Sequence, residues 1–148
     1  MTNLNLNTEI TERCDEIFCP ELPIECIIES EIWNDIQELF YYFYPDEFAI
    51  FLKGYTENNI IHINDYVVPL QKVFPGYVEI TEAAPIDIIG HLHSHGYLTP
   101  FFSGEDLDHL NYDVHIVIGS QKPPIGMSRM KTSCGHNMQR MIKVSLEE

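Results

Sequence analysis

Histidines occupy every second position in residues 90–96, which read Gly-His-Leu-His-Ser-His-Gly. Alternate residues of a β-strand point to the same face about 6.6–7 Å apart, so the segment predicts a strand with one histidine-bearing face. His93 and a neighbouring histidine can both reach a single metal ion, since zinc–nitrogen bonds measure about 2.1 Å. His91 and His95 lie about 13 Å apart along an extended strand, so all three cannot bind one tetrahedral ion. The spacing leaves two pairs open, 91/93 or 93/95, and either pair needs a third ligand from elsewhere.

A second polar group, Ser103-Gly-Glu-Asp106, follows His95 after a gap of seven residues. Ser103 is a residue type that caps a helix N-terminus, and Asp106 then lies in the first turn. The gap is long enough for the chain to turn and bring this helix start back over the end of the strand. Asp106 is therefore a candidate third ligand, although S-x-x-D on its own is a common capping box.

The rest of the chain predicts a domain of mixed strands and helices. Apolar residues recur at three- and four-residue steps after Glu31, which is typical of an amphipathic helix, and Pro45 ends it because the residue before a proline disfavours helical geometry. Asn58 and Asn59 predict the turn of a β-hairpin. A second helix is expected at residues 103–110. Strands are expected at residues 20–30, 47–55, 60–68, 77–81, 86–95, 114–119, 127–132 and 138–146. This order of elements predicts an α/β or α+β fold.

Length and composition favour a single folded domain. The chain has 148 residues, and 45% of them are hydrophobic, which is enough to bury a core. Residues 1–19 are polar and acidic and are expected to form a flexible leader, which leaves residues 20–148 for the domain. The net charge of −15 repels phosphates and argues against nucleic acid and anionic membranes as partners. No apolar run reaches about 18 residues and no signal-peptide layout is present, so a cytoplasmic location is expected.

The four cysteines fit that location as free thiols, because the cytosol is reducing. An alternative is a zinc knuckle that joins Cys14, Cys19 and Cys26 with Cys134 or His136. Its spacings of four and six residues differ from the tight CxxC pairs of zinc ribbons, so the free-thiol interpretation is preferred.

The histidine segment and the group after it together resemble the signature of a known family. His93-Ser-His95, a seven-residue gap and Ser103-x-x-Asp106 are similar to the JAMM motif of the MPN+ metalloproteases, H-[ST]-H-P-x6-S-x-x-D. Gly96 stands where that motif has proline, which removes no ligand.

The resemblance continues upstream. In the family a glutamate lies on a strand, often in a Pro-x-Glu context followed by apolar residues and a glycine, and Glu47 within residues 45–54 (PDEFAIFLKG) looks like that residue. Gly90 also falls where a glycine commonly precedes the histidines. The resemblance covers residues 20–146. It implies one JAB/MPN domain with a mixed, curved β-sheet flanked by helices and a cytidine-deaminase-like core.

For the site, the resemblance implies a zinc ion held by His93, His95 and Asp106, with water in the fourth position. It assigns Glu47 as the general base that activates this water, and Ser103 as the donor to the oxyanion. The implied reaction is hydrolysis of the bond after the C-terminal glycine of a ubiquitin-like protein or its conjugate. The insertions that bind ubiquitin in eukaryotic deubiquitinases of this family are not recognisable, which leaves the substrate open.

Four alternatives compete with this hypothesis. A nucleobase deaminase needs H-x-E followed by P-C-x-x-C, and a thermolysin-like protease needs H-E-x-x-H; the chain has neither motif. A processing peptidase for a sulfur carrier or another non-ubiquitin substrate would use the same residues. A catalytically inactive MPN scaffold is expected to lack some of them. The oligomeric state is not indicated by the sequence.

Overall fold

The computed structural model describes residues 23–95, 112–119, 123–131 and 137–147. In chain order the elements of these residues are β1 (Glu25–Glu29), α1 (Ser30–Phe43), β2 (Ala49–Glu57), β3 (Ile60–Val67), β4 (Gln71–Phe74), β5 (Tyr77–Ile80), β6 (Gly90–Ser94), β7 (Val114–Ile118), β8 (Ile125–Lys131) and β9 (Asn137–Glu147). The expected helix at residues 103–110 and the expected leader at residues 1–19 lie outside the described residues.

Seven strands form a closed barrel in the order β1-β3-β2-β6-β7-β8-β9. β1 pairs in parallel with both β3 and β9, and β6 pairs in parallel with β7, while the other neighbours are antiparallel. The expectation of an α+β fold with a mixed sheet is confirmed. The closure was not predicted, because the pairing of β1 with β9 joins segments more than a hundred residues apart and leaves no local pattern.

The helix α1 covers part of the core. Ile32 and Ile36 are its buried residues, at the spacing that the apolar periodicity predicts. Fourteen buried residues from α1 and the sheet make up the core cluster: Cys26, Ile28, Ile32, Ile36, Phe48, Ile50, Leu52, Ile61, Ile63, Leu92, Val114, Ile116, Ile118 and Ile142. The helix ends at Phe43, directly before the Tyr44-Pro45 pair. Within the described residues, no helix has the length and apolar character that crossing a membrane requires.

The predicted hairpin between β2 and β3 is confirmed. Asn58 and Asn59 both have positive φ, at 54° and 63°, which is the left-handed geometry of a two-residue hairpin turn and is tolerated by asparagine. Gly54 lies at a register shift in β2, where a Cβ would be only 1.8 Å from the His62 carbonyl oxygen. This position therefore requires glycine because the two backbones approach so closely.

In the proline-rich middle of the chain, one strand was not expected and the boundary of another was wrong. The hairpin of β4 and β5 forms a separate two-stranded sheet, and of its strands only the second was expected. β4 is four residues long and lies between Pro69 and Pro75, so it is too short to show a recognisable strand pattern. The strand expected at residues 86–95 begins only at Gly90, and Ile86 is fully exposed because it lies in a turn.

Candidate metal centre

The histidine-bearing strand β6 lies between two other strands of the barrel. β6 runs antiparallel to β2, with Ala49 opposite His93, and parallel to β7, with Val117 opposite His93. The N–H of His95 donates to the carbonyl oxygen of Ile118 at 2.9 Å, which extends the β7 pairing past the last residue of β6. The strand end that carries the histidines is therefore held from both sides.

Gly90 at the start of β6 allows this packing. A Cβ at this position would lie 2.6 Å from Cγ1 of Val114 and 3.0 Å from its carbonyl oxygen. The close approach of β6 to β7 is therefore compatible with glycine and not with a side chain.

The imidazoles of His93 and His95 face each other. Their Nε2 atoms are 3.0 Å apart, and the two residues are only 7% and 5% exposed. Two nitrogens bound to one tetrahedral zinc are about 3.4 Å apart, so this spacing fits a shared ion with a shift of a few tenths of an ångström. Without a metal, the same geometry is that of a hydrogen bond between a ring protonated on Nε2 and a ring protonated on Nδ1.

His91, the other candidate partner of His93, has different surroundings. Its ring lies against Tyr112, at 6.5 Å between centroids with the planes nearly parallel, and against Phe51 and His115. The centroids of His91 and His93 are 5.7 Å apart, compared with 4.9 Å for His93 and His95. Of the two pairs that the spacing left open, the structure brings together the nitrogens of 93 and 95.

Glu47 lies two residues before β2 and is 7% exposed. The next residue, Phe48, donates its N–H to the hydroxyl of Ser94 at 2.9 Å, and its carbonyl oxygen accepts the N–H of Ser94 at 2.9 Å. The second bond continues the backbone pairing of β2 and β6 beyond the Ala49–His93 pair, and the first uses the Ser94 side chain. This register brings Glu47 opposite His95. The candidate base and the candidate ligands therefore meet at one end of two paired strands.

The β4–β5 hairpin holds the other side of residues 47–49, here called the Glu47 segment. The N–H of Glu47 donates to the Phe74 carbonyl oxygen at 2.8 Å. The carboxamide of Gln71 accepts the Ala49 N–H at 2.8 Å and donates to the Ala49 carbonyl oxygen at 2.9 Å. Sequence reasoning missed the contacts of both Ser94 and Gln71. The position of Ser94 between the two histidines indicates that it lies at the site. No local sequence pattern, in contrast, predicts the contact between Gln71 and Ala49.

The remaining predicted site residues, Ser103 and Asp106, lie outside the described residues. Within the ranges that are described, no three histidine, cysteine or acidic side chains form a group that could hold a metal ion. The structure thus supplies two facing imidazole nitrogens and an adjacent buried carboxylate residue. The position of Asp106 as third ligand stays a prediction.

Cys26 bears on the alternative of a zinc knuckle. It is a free cysteine with no exposed surface, and it packs in the apolar core cluster. Burial, followed by the charge of Glu25, raises the pKa of its thiol to about 12. Zinc binds the thiolate form of cysteine, so this environment argues against Cys26 as a ligand. The other residues of the proposed knuckle lie outside the described part of the chain.

The described residues thus form a closed barrel of mixed strands with a helix packed on its core and a histidine pair at the end of one strand. The sequence model of the family described as prokaryotic homologues of the JAB domain, Prok-JAB, matches residues 29–132. The chain belongs to this family and forms a single JAB domain, as the resemblance to the JAMM motif implied. The wider JAB/JAMM family includes zinc metalloproteases, and the fold of this chain is the α+β fold described above.

Two solved structures are similar to the chain. The solution structure of protein DSY2949 from Desulfitobacterium hafniense has a TM-score of 0.56 and 14% identity, and the match covers 83% of this chain and 93% of that one. A structure described as JAMM, a metalloprotease-like zinc site in the proteasome and signalosome, has a TM-score of 0.53 and 17% identity, with 85% and 99% covered. At such identities these likenesses establish the fold. A search of curated protein sequences gave no significant match. The cytidine-deaminase-like core and the domain boundary at residue 20 stay predictions.

Proposed function

We propose that this chain is a zinc-dependent peptidase or isopeptidase that hydrolyses the bond after the C-terminal glycine of a ubiquitin-like protein. The observation that carries the proposal is the 3.0 Å separation of the Nε2 atoms of His93 and His95, beside the strand end that holds Glu47. Membership of the JAB family and similarity to a structure described as a metalloprotease-like zinc site support it.

The donor set fits zinc. His93, His95 and Asp106 would provide two imidazole nitrogens and one carboxylate, and three protein ligands leave the fourth position open as in catalytic zinc sites. A zinc ion bound there would act as a Lewis acid and lower the pKa of a bound water to about 7.

Glu47 is proposed to accept a proton from the attacking water and to return it to the leaving amine. Its burial suits this role, because a carboxylate shielded from bulk water has fewer competing hydrogen bonds. Ser103 is proposed to donate a hydrogen bond from its hydroxyl group to the developing oxyanion.

The proposed substrate is the C-terminal tail of a ubiquitin-like protein. Such tails are extended and end in Gly-Gly, and small residues suit a close approach of the substrate backbone to the ligands and the oxyanion donor. The net charge of −15 favours tails that carry Arg or Lys upstream of the glycines, through an attraction that weakens with salt.

The test is incubation of the zinc-loaded protein with a panel of ubiquitin-like fusions and lysine conjugates, with and without a chelator. The expected result is cleavage after the terminal glycine that a chelator abolishes, with the Glu47→Gln protein as the matched inactive control. Absence of cleavage across the panel would contradict the proposal and favour an inactive scaffold.

A second measurement tests the substrate class. kcat/KM is measured on matched fusions whose tail glycines are replaced by bulky residues, at low and high salt. We expect bulky tails to be cut at least about 10-fold more slowly, since they cannot approach the site closely. Equal rates would point to a processing peptidase for another substrate.

A further inference from the structure

Among the described residues, no barrel strand pairs with residues 47–49 on the side of their backbone that faces away from β6. β3 pairs with β2 as far as Val67, which lies opposite Phe51. Pro69 follows two residues later, and a proline has no N–H with which to continue a ladder. The next residue of β2 whose backbone groups point to this side is Ala49, two residues before Phe51.

On this side, the Gln71 side chain makes the hydrogen bonds to Ala49 that a neighbouring strand would otherwise make. Its Oε1 accepts the Ala49 N–H at 2.8 Å, and its Nε2 donates to the Ala49 carbonyl oxygen at 2.9 Å. The same Nε2 donates to the carbonyl oxygen of Pro69 at 3.0 Å. A primary amide has an acceptor and two donors, so the oxygen and one N–H reproduce a backbone pairing with Ala49 while the other N–H binds Pro69.

The Glu47 segment is thus held alternately from two sides. Phe48 is bonded to Ser94 on β6, whereas Glu47 and Ala49 are bonded to Phe74 and Gln71 on the β4–β5 hairpin. The hairpin is a separate sheet, yet it supplies the partners of both residues that flank Phe48.

We propose that Gln71 is a positioning residue that orients the Glu47 carboxylate through the backbone of Ala49. The inference rests on the proposed function, in which Glu47 acts as the base. A misplacement of a reacting group by about 1 Å costs about 100-fold in rate, so a base on a three-residue segment depends on how firmly that backbone is held. Gln71 contacts neither the substrate nor the metal ligands in this role.

The test is Gln71→Met, which keeps the length of the side chain and removes the donors and the acceptor. We expect kcat to fall by about 10- to 100-fold while KM stays within about 2-fold and the zinc content is unchanged. The matched control is Gln139→Met, the same substitution at an exposed position of β9, which should leave all three quantities unchanged. A Gln71→Met protein with wild-type kcat overturns the proposal.

A variant that retains one of the bonds covers the case in which Gln71→Met does not fold. In Gln71→Glu the ionised carboxylate still accepts the Ala49 N–H but cannot donate to its carbonyl oxygen, and a protonated acid can do both. We expect an intermediate loss of kcat, and the ratio to wild type should rise as the pH is lowered. A purely structural defect predicts a ratio that does not recover at low pH, and that result also overturns the proposal.

Amide hydrogen exchange separates a failure of this inference from a failure of the proposed function. Exchange at the Ala49 N–H should be at least about 10-fold faster in Gln71→Met than in Gln139→Met, while the amides of β2 beyond Phe51 stay protected. If wild-type protein cleaves nothing and this difference is still seen, the proposed function is wrong and the Gln71 contact is real. If Ala49 exchange is unchanged, Gln71 does not hold the segment and the positioning role is wrong.

Discussion

The hydroxyl of Ser94 accepts the backbone N–H of Phe48 at 2.9 Å, across 46 residues of sequence. Ser94 stands between the two candidate ligands His93 and His95, and Phe48 directly follows the candidate base Glu47. One side chain therefore links the backbone of the histidine pair to the backbone of the glutamate. Because both partners are buried, the bond is shielded from competing water.

Ser94→Ala tests this link. The substitution leaves the buried Phe48 N–H without its acceptor, which should lower the free energy of unfolding by about 1–3 kcal/mol in urea titrations. Ser128→Ala is the matched control, since Ser128 is also fully buried but its hydroxyl has no hydrogen-bond partner among the described residues. Ser128→Ala should change stability by less than about 0.5 kcal/mol or increase it. Equal losses in the two variants would show that the Ser94 bond contributes little.

The metal assignment predicts about one zinc per chain, measured by elemental analysis of purified protein. His93→Ala, His95→Ala and Asp106→Ala should each lose the zinc, because each removes one of three ligands. His91→Ala should retain it, since the His91 ring lies against Tyr112 and not on the facing nitrogens of the pair. Zinc that requires His91 and tolerates loss of His95 would contradict the assignment.

Glu47→Gln tests the base without altering the ligands. The amide is nearly isosteric with the carboxyl group and cannot take up a proton, so zinc content and folding should be retained. Turnover should fall by about 10²–10⁴-fold, the usual contribution of general acid–base catalysis. Near-normal turnover of this variant would rule out the role proposed for Glu47.

Gly90→Ala tests the close packing of β6 on β7. The new methyl group would lie 2.6 Å from Val114 Cγ1 and 3.0 Å from the Val114 carbonyl oxygen, and such overpacking costs about 1–3 kcal/mol in the free energy of unfolding. Gly76→Ala, in the turn between β4 and β5, is the control because its methyl group would have no described atom within 4 Å apart from its chain neighbours. Its effect should stay below about 1 kcal/mol. A Gly90→Ala protein as stable as the control would show that the two strands can separate at no cost.

Cys26 should be unreactive in the folded protein. Burial raises its thiol pKa from 9.0 to about 12, so the reactive thiolate is scarce at pH 8. Alkylation followed by peptide mass spectrometry should show slow modification of Cys26 that becomes fast in denaturant. The raised pKa also means that the stabilising effect of the neutral buried thiol is complete below about pH 9 and is lost as the pH rises towards 12. Rapid alkylation under native conditions would contradict the burial.

Several features follow from local sequence and are confirmed. The three- and four-residue spacing after Glu31 predicts α1, and the pair Asn58-Asn59 predicts the β2–β3 hairpin. Residues 114–119, rich in β-branched side chains, predict the fully buried β7. Each signal lies within a few residues, because helix periodicity, turn geometry and strand propensity depend on neighbours along the chain. The family signature at residues 90–106 is likewise a pattern of short-range spacing.

Other features depend on contacts between distant segments. The two-residue period of a β-strand puts His91, His93 and His95 on the same face. In the folded chain the packing of His91 on Tyr112 distinguishes it from the facing pair His93 and His95. The barrel closes where β1 meets β9, and Gln71 replaces a strand partner of Ala49. Such pairings arise from strand register and from the side of the sheet on which a side chain lies. Neither quantity is encoded in the residues next to the position concerned, which is why these contacts appear first in the folded chain.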